Sequence, residues 1–392
     1  MSVELTVAHI AMIVAASQSF LLAVLILQKH RALFANRFLA LLLLSFTVIL
    51  LHMFFQDIGV YQRFPVLYLA VGAPLAASQL QYLYTKYLLG RESSFRRSDW
   101  LHFLPFALFE TGMGAAMLFG WADFTDAAIA SPETAPLFFR ALNWVFIAQG
   151  VTYMSASLRL IVRYDRHLKD VISSSLDEMR MTWLRNITIA GLTAWSLFFV
   201  EDLLLTQGVN LSNFVFVSVL FALYVYAMGF VGLTKSEIFS SPAVEETMQQ
   251  VSRIDADERT AGAKYERSGL SPDAAETLAA RVTALMETDG VYTDPMLTLA
   301  QLAESLAVSP HHLSEAINTR LGKNFYDLVN GHRIARVKRD LADPAKKHLK
   351  ILSLAFDAGF NSKASFNTLF KEQTGVTPSE YRKSILHTSG DE

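Results

Sequence analysis

The stretch Phe38–Phe55, FLALLLLSFTVILLHMFF, runs for eighteen residues without an Asp, Glu, Lys or Arg. A helix buried in a soluble core averages about 11–12 residues and keeps a polar stripe toward water. This stretch keeps none. A hydrocarbon layer about 30 Å thick needs roughly 20 helical residues at 1.5 Å each, and seven stretches of the chain meet that length: 5–27, 37–55, 64–89, 100–121, 137–162, 183–205 and 212–233. The pattern predicts an all-α chain whose residues 1–234 form a seven-helix transmembrane bundle.

Composition supports a divided chain. Hydrophobic residues make up 52% and charged ones 18%, against about 25% charged in soluble domains. Charge is scarce before residue 234 and frequent after it, so the net charge of −2 describes neither half. The absence of cysteine excludes disulfides, thiolate catalysis and Cys-ligated zinc. Met1–His9 carries Glu4 as its one charge, without the basic stretch of a secretory leader. The first apolar run is therefore expected to be a retained span.

Basic residues in short loops set orientation. Lys29, Arg31, Arg37, Arg91, Arg96, Arg97, Arg163, Arg166, Lys169 and Arg180 fall in the first, third and fifth loops. The other loops hold Arg63 alone, and the fourth carries Asp123, Asp126 and Glu133. The expected topology puts the N-terminus outside and the C-terminus in the cytoplasm.

Polar side chains inside the spans are expensive, about 2.5–3.5 kcal/mol for an unpaired charge at the centre. His52, Glu110, Arg140, Asn143, Glu201 and Asp202 fall in or near the outer halves of the spans. As a cluster they are the candidate ligand pocket, with Arg140 facing Glu110, Glu201 or Asp202. Singly, each also fits an ordinary interhelical contact. No HExxH or paired-His spacing occurs, since His9, His52 and His102 lie on separate spans. No metal, cofactor or catalytic centre is expected.

Residues 235–272 read as a cytoplasmic linker, rich in Ser, Pro, Glu, Asp and Gln. A flexible tether fits the composition, and so does a short helix around VEETMQQVSRI pairing between protomers. Amphipathic periodicity resumes at Asp273 and defines a third region, 273–392. LTLAQLAESLAVSPHHLSEAINTRL divides at Val308-Ser309-Pro310, with Ser309 an N-cap and Pro310 at the first helical position. Ala303, Ala307 and Val308 recur fifty-two residues later as Ala355, Gly359 and Phe360, followed by the Ser362-capped SKASFNTLFKEQ. Two helix-turn-helix units are expected, at about 298–320 and 351–373, joined by a helix over Phe325–Leu341. At about 25 Å, such a helix could space two recognition helices near one DNA turn of about 34 Å. Arg320–Lys383 holds thirteen basic and six acidic residues, a local +7 suited to phosphates.

This region resembles the AraC/XylS family of bacterial transcription regulators. The resemblance rests on Ala355, Gly359, Phe360, Ser362, Phe366, Phe370, Lys371, Gly375, Thr377, Pro378, Tyr381 and Arg382, and extends through SPHHLSEAIN and NFYDLVNGHRIARVKRDLADP. It covers about a quarter of the chain, and Ala307 departs from the glycine usual at that place. The resemblance implies adjacent major-groove contacts by two recognition helices. By position, the base-reading candidates are His311, His312, Ser314, Glu315 and Asn318, then Lys363, Ala364, Asn367 and Thr368. Arg320, Lys323, Lys371, Arg382 and Lys383 are the phosphate candidates, which position without specifying. Most members of the family carry a soluble cupin-like sensor; here the apolar half stands in its place.

The sequence thus reads as a one-component regulator in a bacterial inner membrane, sensing a small-molecule or membrane signal. Its expected partners are promoter DNA, the bilayer, a second copy in a dimer, and RNA polymerase if it activates. Two alternatives stand beside it: release of the DNA-binding part by proteolysis in the linker, and a transporter or enzyme with an autoregulatory tail.

Overall fold

The computed structural model describes residues 6–29, 33–90, 94–120, 137–173, 176–206, 215–239 and 270–388. Among these residues all regular structure is helical, apart from one isolated bridge. Two compact units result. The first comprises Met1–Val162 with Trp183–Val244, the second Arg163–Thr182 with Glu245–Glu392. The loop segment Arg163–Thr182, expected to serve the membrane region, groups with the C-terminal region. Of the expected linker, residues 240–269 lie outside the described residues.

The first unit holds α1 (Val7–Lys29), α2 (Ala35–Asp57), α3 (Ala73–Gly90), α4 (Leu104–Leu118), most of α5 (Leu137–Val171) and of α6 (Leu176–Thr206), and α7 (Val215–Phe239). Five described stretches are long and apolar enough to cross a membrane: Val7–Gln28, Ala35–Asp57, Val66–Gly90, Arg97–Leu118 and Trp144–Val171. The count of seven is thus supported for five. The expected sixth span falls in α6, whose sequence includes Asp177, Glu178, Arg180, Arg185, Glu201 and Asp202. The seventh falls in α7, whose described apolar part, Leu220–Thr234, is short of a span. Prolines also break the expected outlines. Pro65 opens a 3₁₀ turn, Pro65–Ala70, ahead of α3, and Pro105 marks the first turn of α4 after the 3₁₀ segment Arg97–Phe103.

Small residues bring these helices together. A Cβ on Gly229 would collide with Leu22 of α1, and one on Gly232 with Leu39 of α2. Gly191 on α6 faces the Tyr224 hydroxyl of α7 in the same way, at 2.6 Å. Small residues at these crossings let the helix backbones approach closely. At the loop after α3, Asp99 accepts from Lys86 Nζ at 2.7 Å and from the Tyr87 hydroxyl at 2.7 Å.

The second unit contains α8 (Pro272–Ala284), α9 (Leu299–Ser305), α10 (Pro310–Arg320), α11 (Phe325–Ala342), α12 (Ile351–Asp357), α13 (Lys363–Thr374) and α14 (Pro378–Thr388). Caps set the starts. Ser271, Ser309, Asn324 and Ser362 each accept from a backbone N–H three residues on, and Thr298 forms a capping box with Gln301. Two apolar cores follow. Leu278, Val282, Leu302, Leu313, Ile317 and Val329 build the first; Ile334, Val337, Leu354, Phe366 and Phe370 build the second. Helix α11 contributes Phe325, Leu328 and Val329 to the first core and Tyr326, Ile334, Val337 and Leu341 to the second, so it ties them together.

Candidate nucleic-acid interface

Two short helices joined by one kind of turn occur twice in the second unit. In the first turn, Ala307 N–H donates to Glu304 O at 3.0 Å and Val308 N–H to Ala303 O at 3.0 Å. In the second, Gly359 N–H donates to Phe356 O at 3.0 Å and Phe360 N–H to Ala355 O at 3.1 Å. The two pairs of the first turn recur in the second at an offset of fifty-two residues. The turn needs a left-handed residue, and Gly359 takes it with φ 98° while Ala307 takes it with φ 56°. Ala307 is the one non-glycine with positive φ among the described residues.

The helix after each turn has an inward and an outward side. On α13, Phe366, Leu369 and Phe370 are buried, while Lys363, Ala364, Asn367, Thr368 and Lys371 are exposed. On α10, Leu313, Ala316 and Ile317 are buried. His311 and Asn318 are exposed there, and His312, Ser314 and Glu315 are half-buried. Asn318 donates to the Ser314 hydroxyl at 3.3 Å. Glu315 keeps one carboxylate oxygen buried without a hydrogen bond. The rings of His311 and His312 lie 6.0 Å apart, and among the described residues no group of His, Asp and Glu is arranged to hold a metal.

The five phosphate candidates divide. Lys323, Lys371 and Lys383 are exposed. Arg320 donates to Pro272 O at 3.0 Å and lies 3.8 Å from Glu276, which ties it to α8. Arg382 donates to Leu349 O at 2.8 Å, Lys347 O at 2.6 Å and Lys346 O at 3.3 Å. It therefore closes the loop between α11 and α12 on itself, a structural task that the sequence reading did not foresee.

Arg333 was also missed. It is 1% exposed, on the inward side of α11. Its Nε donates to Tyr292 O at 2.8 Å, Nη2 to Asp294 O at 2.7 Å and Nη1 to Asn330 Oδ1 at 3.1 Å. Its guanidinium sits over the Phe360 ring, 6.0 Å from the centroid. Burial pushes its pKa down to about 10, partly countered by the charge of Asp294, so it stays protonated at neutral pH. One side chain thus joins the segment before α9 to the turn after α12. The signal lay in the sequence as an arginine in the core register Asn330, Arg333, Val337, Leu341.

Of the six pocket candidates in the apolar half, the structure places two. The His52 ring bonds the Tyr61 hydroxyl, and Tyr61 packs with Tyr68 and Met113. The Glu110 carboxylate lies against Gly72, where a Cβ would meet it. The side chains of Arg140, Asn143, Glu201 and Asp202 lie outside the described residues. An apolar groove of about 320 Å³ between α1 and α7, lined in part by Val14, Gln18, Leu223 and Tyr226, includes none of the six.

Residues 302–384 match a family described as a helix-turn-helix domain. The C-terminal region is a helix-turn-helix domain. The chain is 37% identical over 86 residues to an uncharacterised HTH-type transcriptional regulator of Staphylococcus aureus strain COL. It is equally similar to the corresponding uncharacterised regulators of strains MSSA476 and N315. The aligned part is 22% of this chain and 11% of each relative, so the chain spans about a ninth of the length of the relatives it matches. No solved structure matches the chain. The relatives are described as HTH-type transcriptional regulators.

Proposed function

We propose that this protein is a membrane-embedded one-component transcription regulator. In this reading all seven apolar stretches cross a bacterial inner membrane, N-terminus outside, and a signal reaches them from outside or through the lipid. The α9–α10 and α12–α13 pairs act as tandem helix-turn-helix units on promoter DNA. His311, His312, Ser314, Glu315 and Asn318 read one groove segment, and Lys363, Ala364, Asn367 and Thr368 the next. Asparagine pairs readily with adenine edges and lysine with guanine edges. Lys323, Lys371 and Lys383 take phosphates, with lesser shares for Arg320 and Arg382. A homodimer brings two copies to paired half-sites, and an activating member contacts RNA polymerase.

The observation that carries this reading is the repeated turn. Its two hydrogen bonds, the same in both turns, present after each turn a helix whose outward positions are polar or small and whose inward positions are apolar but for Ser365. The test is in-cell crosslinking of epitope-tagged protein to DNA, followed by sizing of the crosslinked polypeptide. Full-length protein on discrete promoter sites is expected. A shorter species on those sites replaces this mechanism with release by cleavage. No enriched sites, with or without candidate inducers, removes the DNA-binding role.

A further inference from the structure

The five N–H donors of Arg333 are not all used within the C-terminal sequence. Nη1 also donates to Ser173 O at 3.0 Å, and Nη2 to the Ser173 hydroxyl at 3.2 Å. Asn330 Nδ2 donates to the same Ser173 carbonyl at 3.2 Å. Ser173 in turn donates through its hydroxyl to Leu297 O at 2.6 Å, and Ile172 forms an antiparallel bridge with Thr298. Lys169 Nζ stands 5.9 Å from the centre of the Tyr326 ring. Leu168, Val171, Ile172 and Ser173 are all buried. This is a segment from the loop between two expected spans, seated in the second unit on the residue that joins its two helical pairs.

We infer that Leu168–Ser173 is a docked strap that holds the helix-turn-helix domain in its DNA-competent form, and that its release is the switch. The inference rests on the regulator reading above. Three features give it direction. The strap is continuous with the end of α5, whose earlier part belongs to the first unit, so the covalent chain links the two. Its described contacts are with α11 and with Leu297 and Thr298 at the start of α9, leaving the exposed positions of α10 and α13 free of it. It also completes the donors of a buried cation, since undocking strips Arg333 of two hydrogen bonds. A buried donor left unmade is costly, so the joint between the two pairs loosens when the strap leaves. A loosened joint must be reordered on DNA, which weakens binding.

The chain has no cysteine, which makes a test by disulfide clean. Antiparallel partners hold their Cα atoms about 4.5–5.5 Å apart, inside the range a disulfide spans. In full-length protein in native membranes, I172C/T298C is expected to form an intrachain disulfide on mild oxidation. Thr298→Cys alone controls for the lost cap. Ser173→Trp cannot fit the occupied site; it should abolish that disulfide and lower promoter occupancy about tenfold at equal membrane abundance, a size usual for coupling between sites. Ser173→Ala should retain docking. No disulfide, or an interchain one, overturns the strap. A disulfide that forms while Ser173→Trp keeps occupancy within about twofold, well below such coupling, overturns the switch. If wild-type protein enriches no DNA at all, the regulator reading fails, and the disulfide still decides whether the strap docks.

Discussion

The two matched turns carry different residues at the left-handed position, and substitution should separate them by sign. For Ala307, an L-residue at φ 56° carries about 1–2 kcal/mol of strain. Ala307→Gly relieves that strain and gives back about 0.4–1 kcal/mol of unfolded-state entropy. The net expectation is a gain of about 0.5–1 kcal/mol. Gly359→Ala incurs the same strain and adds a collision. The new Cβ would lie 2.6 Å from Tyr292 O, 2.9 Å from Thr293 O and 3.0 Å from Arg333 Nε. Tyr292 O is itself the acceptor for that Nε, and a hydrogen bond to a charged group is worth about 1.5–3 kcal/mol. After the entropy gain, the expected loss is about 2–4 kcal/mol.

Intrinsic fluorescence is the wrong assay, because all five tryptophans lie at or before Trp195. Amide hydrogen exchange read by mass spectrometry on full-length protein reports the turns directly. Peptides over 299–321 should exchange roughly twofold to fivefold more slowly in Ala307→Gly, at 1.4 kcal/mol per factor of ten. Peptides over 290–298 and 351–375 should exchange at least about thirtyfold faster in Gly359→Ala. Equal effects of the two substitutions, or no change around Tyr292 in Gly359→Ala, would refute the account of the turn and of Arg333 as its partner.

Asn367→Ala should cost about 1–3 kcal/mol at one base position and relax specificity there, read by competition among operator variants. Lys371→Ala should instead weaken all sequences alike and reduce the salt slope by about one unit. Arg382→Ala should act mainly through the fold, speeding exchange over residues 346–349, where it holds the carbonyls of Lys346, Lys347 and Leu349; unchanged exchange with weaker DNA binding would return it to phosphate contact. Asp340 is resisted by burial but held below the usual carboxylate range by hydrogen bonds from Lys346 and Arg336. Its stabilising contribution is therefore complete above the unfolded pKa of about 3.9 and lost as pH falls through the depressed folded value, an acid sensitivity that Asp340→Asn should abolish.

The parts of the molecule that were legible in the sequence are those fixed by neighbours a few residues apart. Ser309, Ser362 and the fifty-two-residue repeat announce caps and turns because a cap bonds three residues on and a turn closes within five. Apolar length located five of the seven candidate spans among the described residues, but Pro65 and Pro105 reshaped two of them, which a window average cannot locate. Arg333 belongs to a different class. Its register on α11 marks it as inward, and an inward arginine demands donors' worth of partners; yet those partners come from Tyr292, Asp294 and Ser173, up to 160 residues away in the chain. Its five N–H groups meet five acceptors, and not one is a carboxylate. Backbone carbonyls have no sequence signature, so no pattern of acidic residues could have disclosed where this cation would be satisfied. The same reasoning explains why the loop before α6 looked like a mere connector. Ser173 contributes chiefly its main chain and one small hydroxyl, and only the folded position of Arg333 turns that into an anchor.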